Sequence, residues 1–382
     1  MSPTAVRARL TWRGNVPTRP ERLLPLGPGI INDEMSAAKR FLEIDWLKGL
    51  AIVCVLLIHA EPLVGSALHE YVINRAVPVF VVLFGVSSEL WWLSRRQDHR
   101  GGLARVWWRS RLIRLLVPLW AALAVWWSLA LVLHGHRPSP GLAVAMLVGY
   151  LPTVSTGWFV TLILELVLLF PLVHWAVHRL GDLTSIVLAL ALLFVSHEHT
   201  LQIVATGRAL LLNTAPTEGV AGFYPFLVFP PAWLAHVTMG VVLARRRPLP
   251  TPIDAVASAA LVSSGIALHA LVMNDPFRRS ALAGALDLPL TVLLLYLATG
   301  LRRMPAVGGV LAWLGRASWG MYLGQLLVYS AAVMLHTAPW SGPAVERWGF
   351  FLVLLMGGAG AVALGSLAQN ALVARLGSMA SA

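Results

Sequence analysis

The sequence predicts an all-α fold, a polytopic transmembrane bundle of about ten spans with both termini in the cytosol. Three observations predict it. Hydrophobic residues make up 58% of the chain and charged residues only 12%, a balance far more apolar than that of water-facing domains. The apolar residues run in continuous blocks of about twenty, the length a helix needs to cross a bilayer core, and do not alternate as a β-barrel would require. The arginines collect between those blocks. A net charge of +12 would point to nucleic acid in a soluble chain, but this distribution is what the positive-inside rule produces.

In chain order, residues 1–39 are rich in Arg and Pro, lack a hydrophobic run, and are expected to be a disordered cytosolic leader with no cleavable signal peptide. Met35 is a second candidate initiator. The membrane domain is expected over 40–373, followed by a short tail, 374–382. Its spans are placed at 47–65, 72–93, 112–133, 157–178, 183–197, 221–244, 253–273, 282–301, 317–335 and 350–373. With the N-terminus inside, the cytosolic loops carry Arg95, Arg96, Arg100, Arg105, Arg109 and Arg111, then Arg179, then Arg245 to Arg247, then Arg302 and Arg303. Residues 141–151 are apolar but too short to cross, so a re-entrant or interfacial segment is expected there. Trp91, Trp92, Trp107, Trp108, Trp126 and Trp127 suit an interfacial aromatic belt. Pro225, Pro230 and Pro231 should kink the sixth span.

The first span carries most of the chemistry. In RFLEIDWLKGLAIVCVLLIHAE, Arg40 to Glu61, eleven steps of about 100° bring His59 to within about 20° of the azimuth of Lys48. Asp45 lies within about 40° of the same stripe, and the rise puts Lys48 and His59 roughly 16 Å apart along the axis. A cation, a carboxylate and a titratable imidazole thus share one helix face. An ionisable group in the membrane costs about 2.5–3.5 kcal/mol on the lenient scale, so each needs a reason. His59 suits a general base toward a hydroxyl, and its bland alternative is a histidine bonded to a neighbouring helix. Lys48 alone reads as a snorkelling lysine, while Asp45 and Glu43 read as first-turn carboxylates. Glu61 either orients the imidazole or marks the exit before Pro62.

Further along, Glu165 is a second intramembrane carboxylate, with Trp158 at the end of the same span. Glu89 reads as closer to an interface, and Ser87 and Ser88 as helix-packing residues. Arg95, Arg96, Arg109 and Arg111 form a candidate anion site for the phosphates of a cytosolic cofactor, against the plainer reading of topology and anionic lipid. The lone cysteine, Cys54, supports neither disulfide nor metal site, and HEH at 197–199 is a weak zinc pattern, so no metal is predicted.

These segments together resemble the acyltransferase 3 family of integral membrane acyltransferases. Lys48 and His59 match that family's opening, a basic residue followed by ten others and His, flanked here by Arg40, Asp45, Gly49, Leu50 and Ala51. VPVFVVLFGVSS, residues 77–88, is similar to its second-span element. Trp158, Phe159 and Pro171 sit in register with its WFL segment, and GRASWGMYLGQ, residues 315–325, is similar to its late element through Gly315, Ser318, Tyr322 and Leu323. The resemblance covers about 40–373. Gln325 stands where the family often has a second His, and Thr156 replaces another.

The resemblance implies an enzyme of the bacterial cytoplasmic membrane that moves an acyl group, acetyl being expected, from cytosolic acyl-CoA to a hydroxyl of a glycan or other sugar-containing acceptor. Lys48 and the arginines would hold the donor or polarise its thioester. His59 would act as base or transient acyl carrier, and Asp45 would position Lys48. Glu165, Trp158, Tyr322 and Gln325 would line the acceptor side. The rival reading is a transporter or flippase that uses the same charges as a substrate or proton pathway. A sensor or scaffold with a degenerate site is a third.

Overall fold

The computed structural model describes residues 41–95, 102–135, 139–151, 157–196, 230–246, 249–271 and 276–380. All regular structure among them is helical. The helices are α1 (Leu42–Ala60), α2 (Ala67–Tyr71), α3 (Ala76–Arg95), α4 (Leu103–His134), α5 (Pro140–Leu147), α6 (Trp158–Leu180), α7 (Asp182–Ser196), α8 (Leu234–Arg246), α9 (Pro252–Leu271), α10 (Pro276–Ala298), α11 (Pro305–Met334) and α12 (Ala344–Ala380). Short 3-10 turns at Ile73–Arg75, Pro230–Trp233, Thr299–Arg303 and Pro339–Ser341 link them.

Five segments are long and apolar enough to cross a membrane by length and composition: Ile73–Arg95, Leu103–Leu133, Trp158–Leu180, Leu282–Arg303 and Ala344–Leu367. Each of the other expected spans falls wholly or partly on a helix. α1 carries Glu43, Asp45 and Lys48 within 19 residues, too much charge for a lipid-facing segment. Its burial resolves the difficulty. Twelve of the 19 residues are buried, Glu43 and Asp45 among them, whereas only 22% of the apolar window of α12 is buried. α1 therefore hands its charges to protein, and α12 shows lipid its apolar side.

α1 packs on α3, α10, α11 and α12, with its most extensive seam against α11. Two glycines set that seam. A methyl group at Gly49 would collide with the carbonyl of Leu311, and one at Gly315 would collide with the carbonyl of Asp45. The backbones approach closely because neither residue has a Cβ. A second seam, α3 on α8, is built the same way by Gly85 against Val237 and Gly240 against Val82. Three of these four glycines, Gly49, Gly85 and Gly315, lie in the segments that carry the sequence resemblance.

Several expectations shift. The regular structure of residues 141–151 is limited to the eight-residue α5, Pro140–Leu147, about 12 Å long and too short to cross, as expected. Pro230 and Pro231 lie in the 3-10 turn Pro230–Trp233 that leads directly into α8. Pro225, with 221–229, lies outside the described residues, as do Arg96, Arg100, Thr156, the 197–199 pattern and the leader. α12 runs through the boundary expected at 373 to Ala380. The aromatic belt fails for Trp92 and Trp107, which are 8% and 0% exposed. The Trp107 indole donates to the Val167 carbonyl at 3.1 Å and tethers α4 to α6.

Candidate active site

His59 lies one residue from the end of α1, which closes at Glu61 in a left-handed conformation. The hydrogen bond that orients the imidazole comes from Val55 and not from Glu61. Nδ1 of His59 lies 2.8 Å from the carbonyl oxygen of Val55, one turn back. A carbonyl only accepts, so Nδ1 carries the proton, and in the neutral ring Nε2 keeps its lone pair. The imidazole is thereby set as a base at Nε2. The ring meets the edge of Tyr329 at 5.9 Å and 78°. Tyr329 is stacked on Trp340 at 4.5 Å, and Trp340 packs against Phe350. Arg347 of α12 donates to the Glu61 carbonyl at 2.9 Å and ties the same end of α1 down.

At the other end, the Lys48 ammonium does not snorkel freely. It donates to Ser87 Oγ of α3 at 2.6 Å, and Ser87 donates in turn to the Leu83 carbonyl at 2.7 Å. Ser87, read as a packing residue, is thus the hydroxyl that fixes Lys48. Glu43, 2% exposed, is neutralised by Arg302 at the end of the Thr299–Arg303 turn. Asp45 is buried at the α1–α11 seam.

The candidate acceptor residues gather on two helix faces. Tyr322, Gln325 and Tyr329 fall at i, i+3 and i+7 of α11, one stripe. Tyr329 touches His59, and Tyr322 meets Phe159 of α6 at 5.2 Å. Trp158, next to Phe159, stacks on Trp233 at 6.0 Å, and Trp233 lies 5.4 Å from the His236 ring. Glu165 is seven residues beyond Trp158 and shares its face of α6. Gln325 is 0% exposed, and neither of its amide atoms makes a hydrogen bond among the described residues. The same holds for Glu165 Oε2. Buried polar atoms without partners are costly, about 1–3 kcal/mol each, and each calls for a partner such as a water, an ion or a ligand. Tyr329 was missed by sequence reasoning, though its i+7 spacing from Tyr322 marks it.

The arginines divide. Arg95 lies over Trp91 at 5.0 Å and Arg111 over Trp107 at 4.6 Å. Arg95, Arg111 and Arg114 are close enough for their charges to repel one another, which makes a local excess of positive charge suited to an anion. Arg109 is exposed and, two residues before Arg111, points about 200° away around α4. It does not join them.

A chain that is helical throughout its described regular structure, with five segments long and apolar enough to cross a membrane and a half-buried histidine held in one tautomer between helix faces, fits a membrane enzyme. The acyltransferase 3 family model, described as an acyltransferase domain, matches residues 41–368, and the chain belongs to that family, as an integral membrane acyltransferase. No curated protein and no solved structure matches it.

Proposed function

We propose that the chain transfers an acyl group, acetyl in the first instance, from cytosolic acyl-CoA to a hydroxyl of a sugar-containing acceptor at the opposite face of the bacterial cytoplasmic membrane. The observation that carries this reading is the pair on α1: a Lys48 ammonium anchored by Ser87, and a His59 imidazole whose Nδ1 is committed to Val55.

The separation of about 16 Å along the helix divides their roles. Lys48, held at its own level by Ser87, does not reach a thioester carbonyl at His59. It binds the polar end of the donor together with Arg95, Arg111 and Arg114, and the extended pantetheine arm of CoA spans the distance. Asp45 positions the first turns of α1 at the α11 seam. At the far end, His59 Nε2 takes the proton of the acceptor hydroxyl as its oxygen attacks the thioester carbonyl carbon. The new C–O bond forms, the C–S bond breaks, and the proton passes to the departing CoA thiolate. Trp158 and Tyr322 offer flat faces on which a sugar ring stacks, and Gln325 and Glu165 supply the hydrogen-bonding atoms.

The test is release of free CoA thiol by the purified protein in liposomes, with acetyl-CoA outside and a surface-glycan extract as acceptor. Acceptor-dependent thiol release that falls by about 100-fold or more in His59→Ala supports the reading. Acceptor movement across the bilayer without thiol release would instead establish the transporter. Mass spectrometry of glycans from a deletion strain, read for a missing acyl increment, identifies the acceptor.

A further inference from the structure

Away from Lys48 and His59, a second cluster of titratable groups lies between α3 and α6 that the proposed transfer does not use. Glu89 of α3, read from sequence as interfacial, is 0% exposed. Its Oε2 lies 2.6 Å from Nδ1 of His174, and its Oε1 lies 4.0 Å from Nε2 of His178. Oε1 makes no hydrogen bond among the described residues. His174 and His178 are one helical turn apart on α6, with ring centroids 4.6 Å apart, so both present a nitrogen to the same side. One ligand atom from each of the three residues lies within 4.8 Å of the others.

We propose that Glu89, His174 and His178 bind a divalent transition-metal ion of the zinc class. Two histidines at i and i+4 on one helix face, joined by a carboxylate from a facing helix, form the His2Glu donor set that such ions prefer. Tetrahedral coordination at about 2.0–2.1 Å places ligand atoms roughly 3.4 Å apart. The 2.6 Å pair opens and the wider separations close by about an ångström, within the range of side-chain rotation. The ion resolves what the hydrogen bond leaves open, because one imidazole cannot satisfy both oxygens of a fully buried carboxylate. The pocket is dry on one side, where the Trp92 ring lies 4.8 Å from His174. It is open on the other, where the His178 side chain is 27% exposed, so an ion can enter and water can take the fourth position. Bound there, the ion clamps α3, which anchors Lys48 through Ser87, to α6, which carries Trp158 and Glu165.

The experiment uses the full chain in detergent, stripped with a chelator and then equilibrated by dialysis against low-micromolar Zn2+ or Co2+. About one ion per chain by elemental analysis, intense Co2+ ligand-field bands of a low-coordinate site, and a Zn2+-dependent rise in melting temperature are expected. His178→Gln, at the most exposed of the three positions, should weaken binding by more than about 10-fold and abolish the Zn2+-dependent rise while leaving the metal-free melting temperature near that of the parent. Glu89→Gln should do the same if it inserts. Far less than one ion per chain, or equal binding by parent and His178→Gln, would show that the cluster is a proton-sharing pair and that the chain's other histidines hold any metal found. CoA release by the metal-free protein is scored separately, so failure here leaves the transfer reading standing.

Discussion

The imidazole of His59 is gripped from two directions, by a 2.8 Å hydrogen bond from Nδ1 to the carbonyl of Val55 and by the ring edge of Tyr329 at 5.9 Å. The first sets the tautomer and the second restricts rotation. Tyr329→Ala therefore frees the ring and is expected to lower kcat for acceptor-dependent CoA release about 10-fold, the equivalent of an edge-to-face pair worth ~1.4 kcal/mol. Tyr329→Phe, which keeps the ring, should retain most of the activity. Equal kcat for the alanine variant and the parent would show that Val55 alone holds the base.

Gln325 is buried with an unbonded amide. Replacing it with Leu removes two unsatisfied groups and should raise the melting temperature in detergent by a few degrees, while raising KM for acceptor several-fold. A rise in stability with unchanged KM would remove Gln325 from the acceptor site.

Gly49→Ala puts a methyl group into the Leu311 carbonyl across the tightest helix seam, whereas Gly309, on the same partner helix, has nothing within 4 Å of an added Cβ. The first should destabilise by about 1–3 kcal/mol. The second should be neutral or stabilising, since Ala exceeds Gly in helix propensity by about 1 kcal/mol. Thermal melts in detergent compare the two, and similar losses in both would mean that the seam is looser than the backbone contacts indicate.

The Glu43–Arg302 pair is lopsided: Glu43 is 2% exposed and Arg302 62%. Arg302→Ala strands a buried carboxylate and should cost substantially more stability than Glu43→Gln, which leaves an arginine that turns to water. Melting temperatures of the two variants should differ by several degrees in that direction, and the reverse order would place the carboxylate in contact with solvent.

Much of the architecture was legible in the sequence because membrane solvation acts on composition. Continuous apolar blocks, arginines between them, and the short 141–151 segment follow from what lipid tolerates, and among the described residues each expected span falls wholly or partly on a helix, five of them long and apolar enough to cross. The Lys48–His59 stripe was legible for a similar reason: eleven residues is close to three helical turns, so one face is fixed by period alone. The Trp107 and Trp92 readings failed because a tryptophan near the end of an apolar block has the same local sequence whether it faces headgroups or a neighbouring helix. The indole of Trp107 found Val167, sixty residues away. Glu89, His174 and His178 were missed because their charges meet only when α3 and α6 pack. The i+4 spacing of the two histidines was the one local signal.

What the sequence determined by itself is therefore the helical class and the shared face of Lys48 and His59 on α1, consequences of hydrophobic length and helical period, and, through the residues that resemble its motifs, the family. The tertiary structure decided how those groups are held: Lys48 by Ser87, His59 between Val55 and Tyr329, Glu43 by Arg302. It also decided that α1, too charged to face lipid, lies inside the bundle. The physical reason is that hydrogen bonds, ion pairs and ring contacts across helix seams depend on how closely the helices approach, and at the α1–α11 seam two glycines, Gly49 and Gly315, set that approach.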